Sequence, residues 1–267
     1  MSIMSTYRPC PACGSESISD LPELAPDPWR IGQCDACALV YLRNPVDYDA
    51  LEAEDLAWET KFATEAAQRE KKRGRLKRFA RAVRGIAKRI RGDNQRFYTR
   101  LLGTGRMLDI GCANLIRMGP PNVPFGIELS KHFAEGADKV MRAAGGYCLQ
   151  GAGAERIFDF PENFFDGIVM SSYLEHEVQF PAVLEGAFRA LRPGGRIYIR
   201  VPNFSALNRK VSGADWPGFR HPDHVTYFTP ATLKDTVQRA GFDFKLVNRH
   251  KIWLDDNIQA LAIKPAA

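Results

Sequence analysis

No window of the 267-residue chain approaches the eighteen or so uninterrupted apolar residues that a membrane-spanning helix needs. The amino terminus, MSIMSTYRPCPACGS, also lacks the apolar core of a secretory leader, so we expect a cytoplasmic protein. In that compartment disulfides are the poorer reading of the six cysteines. A hydrophobic content of 45% and a mean hydropathy of -0.28 fit a soluble globular chain, long enough for one full core and a small appended module.

Charge is unevenly spread. Between Arg69 and Arg100 fourteen Lys or Arg face only Glu70 and Asp93, a local net charge of +12 that leaves the remainder at −6. A helical region is predicted from about Asp47 onward. In its basic half Leu76, Phe79, Ala80, Val83, Ile86, Ala87 and Ile90 recur at three and four, so one apolar stripe runs between cationic faces. Three uses remain open: a solvated face packed by its stripe, attraction of an anionic substrate or anionic membrane surface, and phosphate contact with nucleic acid. Few aromatics are interleaved for base stacking, which makes nucleic acid the poorest of the three.

Cys10-Pro-Ala-Cys13 and Cys34-Asp-Ala-Cys37 are two knuckles separated by twenty residues. Each tight turn aims two sulfurs at one tetrahedral ion, the pattern of a tetrathiolate zinc site. Four thiolates close the coordination shell, so Zn2+ would be structural and would fold a segment too short for its own core. Cys112 and Cys148 read as small buried residues.

From Arg106 to Ser130, RMLDIGCANLIRMGPPNVPFGIELS reads as strand, tight turn, short helix, strand and acidic end, a nucleotide-binding βαβ pattern. Helix 131–143, strand 147–150, strand 165–171, helix 181–191 stopped by Arg192-Pro193-Gly194-Gly195, strand 196–201, a helix started by Thr229-Pro230, and closing strands 244–248 and 258–263 follow. The alternation predicts an α/β fold, a parallel sheet with helices on both faces and the last two strands antiparallel at its edge.

The motifs LDIGC, GIELS, FPENFFDGIVMSSYLEH and ALRPGGRIYIRVPN, in this order, resemble a class I S-adenosylmethionine-dependent methyltransferase over about residues 104–263. CPACGS and CDACALVYL resemble the zinc ribbon that precedes this domain in bacterial methyltransferases acting on sugars and other small metabolites. The resemblance implies a Rossmann-like seven-stranded sheet and three parts: a ribbon at 1–45, a basic helical connection at 46–103 and the methyltransferase domain at 104–267. It further implies that S-adenosylmethionine is bound by Asp109, Gly111 and Ala113 at the first turn and by Glu128, Leu129 and Ser130 at the acidic end. The segment Ala152 to Glu155, with Ala154 and Glu155 as the named contacts, would lie beside the adenine, and Ser171 and Ser172 would border the sulfonium. The sequence departs from the family in one place: Gly111 is followed by Ala113 and Leu115 where the family alternates glycines, and the path from Asp109 to Glu128 is about four residues short.

Methyl transfer from a sulfonium needs an aligned acceptor and sometimes a base. His176, directly after the fourth strand, is the first candidate, and His224 in FRHPDHVTYF the second. His221-x-x-His224 is a ligand pair in principle, but without a third convergent group it reads as a loop-ordering pair. The Glu175-His176 pair resembles one in ubiquinone-pathway O-methyltransferases, whose metal needs an upstream carboxylate where this chain has Ser172, so that metal is not carried over. No Asn-Pro-Pro-Tyr-like sequence follows the fourth strand, which argues against methylation of exocyclic nucleobase amines. The expected activity is methylation of a small, anionic or carrier-linked metabolite such as a sugar derivative. An RNA methyltransferase gripping RNA through ribbon and basic helix, and a cofactor-less scaffold with a degenerate turn, are the alternatives.

Overall fold

A computed structural model describes residues 7–46, 94–113 and 117–266. The stripe from Leu76 to Ile90 and the substituted Leu115 lie outside the described residues, as does most of the basic stretch; its last part falls in α1 (Asn94–Leu102).

The first strands, β1 (Ile18–Asp20), β2 (Ile31–Cys34) and β3 (Val40–Leu42), form an antiparallel meander. The large sheet then takes β4 (Arg106–Ile110), β5 (Val123–Glu128), β6 (Tyr147–Gln150), β7 (Phe165–Ser171) and β8 (Leu191–Pro202) as parallel strands. It is completed by β10 (Asp243–Leu246) and β11 (Asn257–Ile263), with β11 inserted antiparallel between β8 and β10. The resulting order is β10-β11-β8-β7-β4-β5-β6, a seven-stranded Rossmann-like sheet. The reversal of strand order beside β4 opens a crevice at the carboxyl ends of the strands, where ligands bind in such sheets.

Alternation along the strands feeds two cores. Leu108, Ile168, Ile197 and Ala260 face α4 (Phe180–Ala190) and α6 (Pro230–Arg239), while Met107, Val169, Tyr198 and Leu261 face α1. The helix α2 (Lys131–Ala143) seals the far edge with Ala134, Ala137 and Met141 against Cys112 and Cys148. Helices therefore cover both faces. Each large side chain so buried, Phe180 or Leu184 for example, contributes about 1.5–3 kcal/mol. Ser130 caps α2 by accepting from the Phe133 N–H, and Thr229 and Thr232 form a reciprocal capping box on α6.

Two features differ from the expectation. β8 begins at Leu191, and Arg192–Gly195, predicted to be a plain stop, is carried inside the strand as an irregularity opposite Phe165–Gly167. The ion pair of Arg192 with Asp166, at 2.6 Å, pins it there. The long connection after β8 also carries a short helix, α5 (Leu207–Ser212), and a two-residue strand, β9 (Thr226–Tyr227), which adds to β3 as the fourth strand of the amino-terminal sheet.

Arg8 stitches the two parts together. Its guanidinium donates to the carbonyls of Leu42 (2.9 Å), Val178 (3.1 Å) and Val225 (3.1 Å). Among the described residues no helix is long and apolar enough to cross a membrane.

Candidate active site

The turn after β4 is tied back to β5 by Gly111 N–H and Cys112 N–H, both donating to the Ile127 carbonyl at 2.9 and 3.4 Å. Gly111 has φ +69 and Ala113 has φ +50, so alanine adopts the left-handed conformation that the family gives to glycine. Glu128 compensates: its Oε2 accepts from the Ala113 N–H at 2.7 Å and its Oε1 from the Ser130 N–H at 3.1 Å.

These residues line a cavity of about 300 Å³ at the carboxyl ends of the parallel strands. Of the ten residues expected at the cofactor, Gly111, Ala113, Glu128, Leu129, Ser130 and Ser172 line it. Asp109, Ala154, Glu155 and Ser171 are not among its lining residues. Asp109 is buried beneath the turn and ion-paired with Arg117. Ser171 still belongs to β7, and Ala154 packs into the core while Glu155 points to solvent. Beside them Gly151, Ala152 and Gly153 do line the cavity.

Burial raises the Asp109 carboxyl to about 6 against the opposing pull of Arg117. Tyr173 is the main wall residue that motif reading missed. Its ring runs over Gly111 and its hydroxyl over Gly153, and it donates to Glu177 Oε2 at 2.5 Å. A Cβ on Gly153 would sit 2.1 Å from that hydroxyl and one on Gly111 2.9 Å from the ring, so both glycines are needed for close approach. The pair Gly151-x-Gly153 was the available signal. Val46 and Asp223 close the cavity from the other side.

A second cavity, of about 240 Å³, shares Ser172 and His176 with the first and is walled by Glu175, Asn208, Trp216, Arg220, His224 and Asn257 among others. His176 and His224 meet edge to face with ring centroids 4.6 Å apart. His176 Nδ1 lies 2.9 Å from the Asp223 carbonyl and His224 Nδ1 2.7 Å from the Gly218 carbonyl. A carbonyl only accepts, so both Nδ1 atoms carry the proton and both Nε2 atoms carry a lone pair.

Burial, reinforced by Arg220, lowers His176 to about 4; burial, then His176, lowers His224 to about 3. Both rings are neutral at physiological pH. Glu175 is buried, its Oε2 has no partner, and burial raises it to about 8. Its backbone carbonyl accepts from Val225 and Thr226, which is how β9 sets the position of His224. His221 stacks on Phe219 beside Tyr227 and does not form a ligand pair with His224. The convergent partners of His224 are Glu175 and His176, brought together by the fold across forty-eight residues.

The four knuckle cysteines also converge, with Cys10 Sγ 3.5 Å from Cys37 Sγ and Cys13 Sγ 3.6 Å from Cys34 Sγ. Zn–S bonds of about 2.3 Å in a tetrahedron set sulfurs about 3.8 Å apart, so the donor set fits zinc. Burial tends to raise the Cys34 thiol, but the N–H groups of Cys37 and Ala36 outweigh it and bring it to about 7. Burial pushes Cys37 up to about 11.

A family model described as a methyltransferase domain matches residues 79–246. By sequence, no curated protein matches. Among solved structures, the YcgJ protein of Bacillus subtilis superposes with a TM-score of 0.50 at 14% identity, covering 65% of this chain and 99% of that one. An S-adenosylmethionine-dependent methyltransferase from Archaeoglobus fulgidus gives 0.49 at 18% identity, with 67% and 98% covered. The match to a family of enzymes speaks against the cofactor-less scaffold alternative. The matched domain spans most of the chain, and the protein belongs to the methyltransferase-domain family as an S-adenosylmethionine-dependent methyltransferase with a cysteine cluster suited to zinc.

Proposed function

We propose that the first cavity holds S-adenosylmethionine and the second a small, hydroxyl-bearing or anionic acceptor, such as a sugar derivative. The observation that carries this reading is that the two cavities meet at Ser172 and His176. When bound, the cofactor supplies an activated methyl group for in-line displacement. The turn at Gly111 and Ala113 receives the methionine part, Glu128 accepts from the ribose hydroxyls, and Gly151 to Gly153 back the adenine.

Ser172, held by Arg200 at 3.2 Å, borders the reacting carbon. His176 presents the Nε2 lone pair of a neutral ring at the junction, where it can accept the acceptor's proton, with His224 behind it. Arg220 and the amides of Asn208 and Asn257 supply donors for an oxygen-rich acceptor.

Methyl-labelled cofactor incubated with cell extract and purified protein tests the reading. Label should enter the small-molecule or carrier-linked fraction, and Arg220→Gln should raise the acceptor KM about tenfold, a loss of about 1.4 kcal/mol, with cofactor affinity unchanged. Label entering RNA and released by ribonuclease would overturn it.

A further inference from the structure

We propose that Glu175, His176 and His224 form a divalent-cation site at the junction of the two cavities, separate from the cysteine cluster. One donor atom from each residue lies within 4.8 Å of the other two. Bonds of about 2.0–2.2 Å need donor edges of about 3.4 Å, so modest side-chain rotation closes the triangle.

Three independent features point to a ligand. Both imidazoles donate Nδ1–H to backbone carbonyls, the outer-shell arrangement that fixes a ligating ring with Nε2 available. Glu175 Oε2 is enclosed and unpartnered, and a buried carboxylate oxygen without a donor or cation is costly. All three residues also line the second cavity, so water or an acceptor oxygen could complete the coordination shell.

Two nitrogens and one carboxylate select a first-row transition ion such as zinc over magnesium or calcium, which prefer all-oxygen shells. The neighbouring positive charge of Arg220 is engaged by Asp223 at 3.3 Å. The motif alone could not assign this site, because Ser172 stands where a second carboxylate was expected. His224, delivered by the β9 connection, takes its place. The role of the cation rests on the reading of the second cavity as the acceptor site. With the ion bound, both Nε2 lone pairs would be taken up as ligands, so His176 would no longer serve as the base and the cation would instead polarise the acceptor oxygen. The binding itself does not depend on that reading.

Metal analysis of the full chain after dialysis against micromolar zinc tests it, with S-adenosylhomocysteine titration on the same samples. Wild type should hold about two zinc ions per chain, one in the cysteine cluster and one here. His224→Ala and Glu175→Gln should each hold about one, and Cys34→Ser should also lose one while keeping the other. Folded wild type with a single zinc that Cys34→Ser removes, or two zinc retained in both His224→Ala and Glu175→Gln, would overturn the site. Titration heat with no second zinc defeats only the cation site, whereas a second zinc without titration heat defeats the cofactor reading.

Discussion

Arg117 lies in the connection between β4 and β5, and replacing it with methionine should destabilise the protein in a pH-dependent way. The change keeps most of the aliphatic stem and removes the only cation paired with Asp109 among the described residues. Asp109 is 3% exposed and its Oδ1 has no partner. Burial raises its carboxyl from 3.8 to about 6 even with Arg117 present.

A raised acid pKa opposes folding once the group must ionise, and the opposition vanishes below the unfolded value. At about 1.36 kcal/mol per unit, ionised Asp109 opposes folding of the wild type by about 3 kcal/mol above pH 6. Without Arg117 the carboxyl stays protonated at pH 7.5, which opposes folding by about 5 kcal/mol. The variant should therefore be about 2 kcal/mol less stable at pH 7.5 and within about 0.5 kcal/mol of wild type at pH 5, where Asp109 is protonated in both folded proteins. Urea unfolding at the two pH values measures this directly, and Asp109→Asn should cancel most of the difference. Equal destabilisation at both pH values would refute the reasoning.

Gly153→Ala should weaken S-adenosylhomocysteine binding about tenfold or more, because its Cβ displaces the Tyr173 hydroxyl from the cavity wall. Isothermal titration checks it, and wild-type affinity would mean that Tyr173 yields without consequence. Cys34→Ser should lose one zinc per chain and lower methyl transfer more than cofactor affinity. Loosening of β2 and β3 is passed through β9 to the wall of the second cavity. Full turnover in a zinc-depleted variant would separate the ribbon from the active site.

What the sequence made legible follows from the range of the interactions. The elements 131–143, 147–150 and 165–171 match because local periodicity and caps such as Ser130 fix them. The strand, turn and acidic strand end around Gly111 and Glu128 were legible because a strand end, a glycine and an acid lie close in sequence. By contrast, β9 is two residues long and has no periodicity to read; only pairing with Val40 and Tyr41 makes it a strand. Tyr173 looked like any strand-end aromatic until Gly111 and Gly153 were seen beneath it. The convergence of Glu175, His176 and His224 depends on the long connection folding back onto the amino-terminal sheet, which no spacing rule encodes. The ion pair of Asp109 with Arg117 was not legible, because it joins a strand to a connection that carries no periodic signal.

The central claim is that the alanine-bearing turn still builds a cofactor site. Calorimetric titration of the folded chain with S-adenosylhomocysteine measures it most directly. One site per chain with micromolar affinity, weakened about a hundredfold in Glu128→Ala by loss of the ribose contacts and the Ala113 tether, is the predicted result. No heat at millimolar ligand from protein shown to be folded would contradict it.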